Sequence, residues 1–562
     1  MKRDYFIIII IFLFLLSCAK QGFPPGGPVD RIPPKIVRTI PLPGATFVDP
    51  RTSVKVWFSE GVIPASAKDA VFITPYPGEG VKYKWRGKRL EIVFPRPLKK
   101  NCTYVITFGT GIKDYRNNGM ESSFILAFST GPVLDKGEIS GRVYGIKDAK
   151  GIDIWAYQIN DHTDPDPSTK EPDYIVQCEA SGGFLFSHIS SGLYRLFAVR
   201  DRAADRIYQP GEDEIGVAFR DVLLSRKSSL HSDNLYFKVM KEDTTLPGLV
   251  RVVPVDYNHL TLQFDKPLSS QQIFSPDSIL IVSTVDTLDT LGVEQFYLDP
   301  INSKIAHVIT YRQKKGEKYK LKVKTLFDEA GNSIDKNYSR AFFNGSEKAD
   351  TTSPELVKIV PEPGTKSANL RGLVHLIFNE AMNQIKFPDG FFLKSDSGKL
   401  LSGSFQWKNP AEVLFLSRKK LKSSSTYTVE IFGKNVMDLA GNPVADTSFQ
   451  FRTLNKDTLS EISGTLFDRD SNAVGQIFVT AMQIKNPGLL YTQILPAPGR
   501  YQFTNVLPGS YTIEAFRDRD GNGKYSFGKP FPYKPSERFV VLEDTVKVKP
   551  RWPNEGNDLI LP

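Results

Sequence analysis

Apolar and polar positions alternate over short runs along most of the chain, and this period of two predicts strands. Val54, Val56 and Phe58 are separated by Lys55 and Trp57, the pattern of a half-buried strand. Runs 90–94, 104–108 and 124–128 repeat the pattern between turn-rich joints, and runs 413–415, 427–431 and 449–451 repeat it again near the other end. A second set lies at 139–143, 184–186 and 194–199, with counterparts at 462–466, 501–503 and 511–516. Short alternating runs at such spacing predict β-sandwiches. The 42 Gly and 39 Pro residues agree, since they favour many tight turns over long helices.

The pattern is duplicated. Pro41-Leu42-Pro43-Gly44 recurs as Pro361-Glu362-Pro363-Gly364, and Phe58-Ser59-Glu60 recurs as Phe378-Asn379-Glu380. Trp85 corresponds to Trp407, Glu138-Ile139-Ser140-Gly141 to Glu461-Ile462-Ser463-Gly464, and Gly192-Leu193-Tyr194 to Gly509-Ser510-Tyr511. A nearly constant offset over five landmarks means that one two-domain block occurs twice. A third copy of the first half lies between the blocks. There Phe264-Asp265-Lys266 stands at the strand end, and Tyr319 precedes Asp328-Glu329-Ala330-Gly331-Asn332. Tyr104 and Tyr427 each follow a leucine by six residues, which suits either a Greek-key corner or an ordinary core tyrosine.

Three motifs of the first half go together: an Asp-x-x-Pro-Pro opening at Asp30 (approximately at Asp350), the Phe-x-Glu strand end, and Asp-x-x-Gly-Asn before the last strand, clearest at Asp438 to Asn442. They resemble the SbsA-type bacterial Ig-like domain found in Bacteroidetes lipoproteins. The resemblance is close over 31–131 and 353–454 and weaker over 246–345, where Lys266 replaces the acid. The second half, with its Ile-Ser-Gly opening and Gly-x-Tyr strand, resembles transthyretin-like (carboxypeptidase-regulatory-like) sandwiches. These resemblances imply display, spacing or adhesion and no catalytic residues.

The expected fold is therefore all-β: a linear array of about five β-sandwich domains, three Ig-like and two transthyretin-like, after a lipoprotein signal peptide. The expected boundaries are a signal peptide at 1–17, a lipidated tether at 18–30, and domains at 31–131, 137–240, 246–345, 353–454 and 460–550, with a C-terminal tail at 551–562. Short linkers near 132–136 and 455–459 predict a semi-rigid rod.

The N-terminus gives the expected address. Lys2 and Arg3 precede the unbroken apolar run 6–16, too short to span a bilayer as a helix and suited to export. Leu15-Leu16-Ser17-Cys18 resembles the bacterial lipoprotein cleavage site, which implies an acylated Cys18. By resemblance to sorted lipoproteins, Ala19 rather than Asp at the next position implies the outer membrane. Surface-exported lipoproteins of Bacteroidetes often carry an acidic pair just after the cysteine; Cys18-Ala19-Lys20-Gln21-Gly22 has none, so the resemblance implies the periplasmic face over the cell surface.

Net charge is +10 and scattered, with short runs such as Arg418-Lys419-Lys420. That suits nonspecific attraction to anionic envelope polymers, and an exported protein does not meet genomic DNA, so no nucleic-acid partner is expected. Cys102 and Cys178 fall in different expected domains and read as buried thiols.

One loop carries candidate chemistry. Asp518, Asp520 and Asn522 occupy positions one, three and five of a Gly-containing loop, with Lys524 offering a carbonyl and Ser526 at position nine, as in loops that wrap calcium. Position twelve is Lys529, so a bidentate acid is missing unless Glu537 folds back. The same residues also make an ordinary Asp-Gly turn, and the first copy, Asp201 to Asp205, lacks the middle acid. No cofactor is required, and calcium in the last domain stands as one of two readings.

Six scattered histidines give no zinc pattern, and no nucleophile elbow or phosphate loop is present. Glu60 and Glu380 repeat at a strand end and read as a shared structural hydrogen bond. Trp85 and Trp407 recur at matching positions, which favours packing over sugar stacking. The expectation is a noncatalytic, outer-membrane-anchored rod that scaffolds envelope protein partners. The alternative is a surface adhesin for a glycan or polymer, with calcium assisting.

Overall fold

Alternation becomes burial in the first domain. Val54, Val56 and Phe58 lie inside strand Val54–Phe58, while Lys55 and Trp57 are only part-covered. The computed structural model describes residues 30–562 apart from Tyr76, Glu79, Lys147, Lys150 and 160–163, so the export segment, Cys18 and the tether lie outside the described residues. Strands dominate, and the one α-helix among the described residues is the six-residue Pro64–Asp69.

Domain one pairs a four-stranded antiparallel sheet, in the order Ile36–Ile40, Val54–Phe58, Arg89–Val93, Lys82–Arg86, with a three-stranded sheet of Val71–Thr74, Thr103–Phe108 and Phe124–Ser129. One core draws on both sheets, with Val56, Leu90 and Ile92 facing Ile106, Phe108 and Phe128. That shared core makes a sandwich. The same order recurs in domain three (Leu249–Pro254 to Arg340–Asn344) and in domain four (Leu356–Val360 to Thr447–Arg452), each with its own core. In all three the tyrosine closes a corner. The hydroxyls of Tyr104, Tyr319 and Tyr427 accept from the backbone N–H of Lys99, Lys314 and Lys422, at 2.9, 3.1 and 2.8 Å. Trp85 stacks on Phe58 and Trp407 packs edge-on against Phe387, so both belong to packing.

Domains two and five share a different topology. Gly137–Tyr144 pairs antiparallel with Gly183–Ile189 and parallel with His231–Lys238. Ser460–Asp468 pairs antiparallel with Gly499–Val506 and parallel with Leu559–Leu561. The segment 551–562, expected as a tail, is therefore part of domain five: Leu559 and Leu561 are buried in its core. Three residues form too short a run to betray themselves by alternation, which is why the pattern alone missed them. The repeated Ile-Ser-Gly motif now has its reason. A Cβ on Gly141 would stand 1.8 Å from the Leu235 carbonyl oxygen, and one on Gly464 2.2 Å from that of Asn557. Only glycine lets those backbones close together. The repeated Gly-x-Tyr tyrosines tie their turns, Tyr194 donating to the Ser190 carbonyl and Tyr511 to that of Leu507, at 2.9 and 2.7 Å.

The order along the chain is that of an array, but an extended rod does not result, because domain five returns to domain two. Arg195 is almost fully buried, held by Asp164 at 2.7 Å and by both oxygens of Asp221, and its guanidinium lies 3.5 Å over the Tyr533 ring of domain five. Tyr533 packs on a second apolar cluster of domain two, formed by Trp155, Tyr157, Phe197, Val199 and their neighbours. Strand Asp153–Gln158 is buried on both faces, the second within that cluster of domain two's own Tyr208, Ile215 and Val217 together with Tyr533, whereas its counterpart Gln476–Gln483 keeps the alternation of a strand with one wet face. Nearby, Lys238 pairs with Glu514 at 2.9 Å, and Phe539 packs edge-on against Tyr144 and beside Tyr236. Short linkers constrain neighbouring domains and leave distant pairings open, so this return could not be read from linker length.

Of the two expected thiols, Cys178 is buried and Cys102 half-buried; burial pushes the Cys178 thiol up to about 12.

Candidate metal centres

The last-domain loop was the candidate with the clearest pattern, and its acids do converge. Asp518, Asp520 and Glu537 bring carboxylate oxygens within 4.8 Å of one another, so Glu537 does fold back. The loop's own backbone already uses those oxygens. Asp518 accepts from the N–H groups of Gly521, Asn522 and Gly523, and Glu537 accepts from Arg519 and Ser526, at 2.7 and 3.0 Å. Asn522 donates to Ser526 and accepts from the Lys524 N–H, while Ser526 donates to Asp520 at 2.7 Å. Lys524 thus enters this network through its amide hydrogen. Domain two builds the same brace with other residues: Asp201 accepts from Ala204 and Arg206, and Asp213 accepts from Arg202 and Gln209. A turn held by two acids accounts for both copies, and the last domain adds a third acid to it.

Two further clusters stand at strand ends that the sequence pattern assigned to simple hydrogen bonding. Asp30, Glu60 and Asp114 converge in domain one, and Asp350, Glu380 and Asp438 in domain four, each set within 4.8 Å. The local sequence explains the placement. In Asp438-Leu439-Ala440-Gly441-Asn442 the glycine takes φ +94°, so the backbone curls until the Asn442 N–H reaches Asp438 Oδ1 at 2.8 Å. The Asn442 side chain bridges Asp438 Oδ2 and the Asp350 carbonyl, at 2.8 and 3.3 Å, tying the incoming linker to the loop. Domain one repeats this with Asn118, Asp114 and Asp30, and Asn117 takes the positive φ there in place of glycine.

The linker aspartates turn in the same way. Asp30 Oδ1 accepts from Ile32, Asp243 Oδ1 from Thr245 and Asp350 Oδ1 from Thr352, at 3.0, 3.1 and 3.0 Å. In domain three Lys266 stands in place of the acid, and its ammonium sits among the corresponding groups. Lys266 Nζ donates to Asp243 Oδ2 at 2.5 Å, Asp328 Oδ2 at 2.6 Å and the Thr245 carbonyl at 2.7 Å. Asn332 again bridges Asp328 and the Asp243 carbonyl.

The electrostatics divide accordingly. Burial pushes the Asp328 carboxyl up, but the bonds from Lys266 and Asn332 outweigh it and hold the group below its ordinary value. Burial first, and then the charges of Asp350, Asp438 and Asp256, push Glu380 up to about 8. Glu60 is raised by burial and then by Asp114 and Asp30, with Lys88 pulling the other way. Like charges crowded together favour the protonated acid.

The fourth-domain cluster lies at the joint with domain three. Tyr297 and Ile309 of domain three pack against Ala381 and Ala411 of domain four. Tyr297 is 2% exposed, its hydroxyl has no hydrogen-bond partner, and burial and then the Glu380 charge push that hydroxyl's pKa upward. Tyr297 stacks on His307, which joins His259 to Asp299 through contacts of 2.9 and 3.0 Å. With Asp299 accepting from His307 Nε2, the Nδ1 of His307 accepts from His259, which stays neutral because burial and then His307 push its pKa down to about 3.

Cluster membership was hidden from the sequence because its three acids are far apart along the chain. The usable signal was the recurrence of the three motifs together, with a lysine exchanged for one acid in the third copy.

Residues 30–130 and 350–453 match the family model of the bacterial Ig-like domain. Those two stretches are therefore Ig-like domains, and domain three has their strand order. No curated protein matches the chain. Among solved structures, the N-terminal part of the bacterial S-layer protein SbsC is similar at 15% identity and a TM-score of 0.17, over 38% of this chain. This chain spans 45% of that structure's length. A longer SbsC structure is similar at 14% identity and a TM-score of 0.17, over 92% of this chain and 67% of the other. L,D-transpeptidase 1 of Mycobacterium tuberculosis is similar at 12% identity and a TM-score of 0.16, over 32% of this chain and 83% of its own. Likeness at this level says nothing of activity.

Proposed function

We propose that the chain is a noncatalytic scaffold of the cell envelope, held by an acylated Cys18 at the periplasmic face of the outer membrane and presenting a preformed surface to envelope proteins. The observation that supports it is the return of domain five to domain two through Arg195, Tyr533, Lys238 and Glu514. The chain from domain two to domain five is thereby closed into a circuit. A tether that only separates two points gains nothing from folding back, whereas a platform that fixes partners relative to one another does. Domains two and five, read as transthyretin-like spacers, form the closed side. Calcium in the last-domain loop belongs to the alternative reading, a surface adhesin for a glycan or polymer.

The test is protease treatment of intact cells, blotted for domain five, beside membrane fractionation of Cys18→Ala. Protection in whole cells, digestion once the outer membrane is opened, and release of Cys18→Ala into the soluble fraction are expected. Digestion in intact cells would move the chain to the surface and favour an adhesin. Retention of Cys18→Ala on membranes would remove the lipid anchor.

A further inference from the structure

Three equivalent positions in one chain hold two different solutions to the same electrostatic problem. In domain three a tethered cation, the Lys266 ammonium, lies between Asp243 and Asp328. In domains one and four the two aspartates keep their places and a third carboxylate replaces the amine. Each aspartate of the loop and of the linker uses Oδ1 for its own backbone turn, as Asp114 does with Asn118 and Asp438 with Asn442. In domain three the Oδ2 atoms of both aspartates converge on the amine.

We propose that Asp350, Glu380 and Asp438 bind a calcium ion that staples the incoming linker to domain four, the part that Lys266 plays permanently in domain three. The donor set consists of carboxylates, and hard oxygen ligands select calcium over softer metals. Oxygens within 4.8 Å of one another suit an ion that takes ligands at about 2.3–2.6 Å, since opposite ligands then stand about 4.6–5.2 Å apart. The Lys266 contacts of 2.5–2.7 Å are of nearly the same length, so one scaffold accommodates either cation.

A separate observation points to a ligand at the fourth-domain site. The Tyr297 hydroxyl from domain three is buried and lacks a partner, and Tyr297 packs with Ala381, the residue after Glu380. A bound cation brings coordinated water, and a water beside Glu380 supplies the acceptor that this hydroxyl lacks. The ion would then fix the angle between domains three and four as well as the linker. The proposal does not depend on where the chain is anchored.

The test is calorimetric titration of the chelator-stripped chain, without its export segment, using calcium chloride. Glu380→Gln is expected to remove one bound equivalent, with a site dissociation constant of about 10⁻⁴–10⁻³ M as in extracellular modules. Any binding at the Asp518 loop cancels in the comparison. Glu380→Lys copies domain three and guards against misfolding. It should lose the same equivalent yet unfold in chelator at the temperature that the wild type reaches only with calcium. Lys266→Glu should gain one equivalent. Unchanged stoichiometry in Glu380→Gln, or calcium still bound at full stoichiometry by Glu380→Lys, overturns the proposal.

Discussion

Replacing Lys266 with Met keeps the length and apolar stem of the side chain and removes only the charge. The wild-type ammonium makes three contacts, to Asp243, Asp328 and the Thr245 carbonyl. Asp328 is 2% exposed, so the variant leaves a buried carboxylate held by Asn332 alone. Breaking a fully buried pair costs about 3–5 kcal/mol. Here the Asp243 side chain is 41% exposed, and water screens that half of the pair. The expected loss is about 2 kcal/mol, or about 30-fold in the local opening equilibrium. Hydrogen exchange resolved to peptides reads this directly at the Asn332 and Thr245 amides, which bond to Asp328 and Asp243. Faster exchange is expected there, and unchanged exchange in the core of domain one serves as the internal reference. Less than about threefold acceleration would mean that the lysine contributes no more than an exposed surface pair, and would refute its role as a clamp.

The tyrosine corner should contribute equally in its three copies. Tyr427→Phe is expected to cost about 1 kcal/mol by denaturant unfolding, with Tyr104→Phe and Tyr319→Phe within a few tenths, because the three bonds have nearly the same length. Stability should also fall below neutrality through His259. Its folded pKa of about 3 lies below an unfolded value of about 6.5, so the unfolded chain binds the extra proton. The contribution is complete above pH 6.5 and is lost at about 1.4 kcal/mol per unit as pH falls through that value toward 3. The groups facing His259 are His307 and Asp256, with Asp299 beyond. Denaturation at pH 7.5 and 5.5 should show the loss in the wild type and a smaller one in His259→Phe; equal losses would exclude the histidine as its source.

The elements that the sequence made legible were those whose information is local. Val54, Val56 and Phe58 announce a strand because side chains alternate faces regardless of what lies beyond them. Tyr104 and Tyr427 were visible as corner candidates, and the structure chose the corner over the plain core position by supplying the backbone donors. The Asp518 loop was recognisable by spacing. Its geometry then showed acids already committed to backbone N–H groups, a competition that spacing does not contain. Glu60 and Glu380 were legible as a recurring pair, but their partners were not, because Asp30 and Asp114, or Asp350 and Asp438, are brought to them only by the folded linker and loop.

By itself, then, the sequence determined an all-β chain in which one two-domain block occurs twice with a third sandwich between, since periodicity and turn residues act over a few positions at a time. It also carried the Lys266 exchange that marks the cation site. Tertiary structure alone decided that Leu559–Leu561 completes domain five, that Tyr533 covers Arg195 of domain two, and that Tyr297 is buried at the joint with Glu380. Those contacts join residues far apart along the chain. They depend on shape, burial and charge meeting across domains, and no short-range pattern records such a meeting.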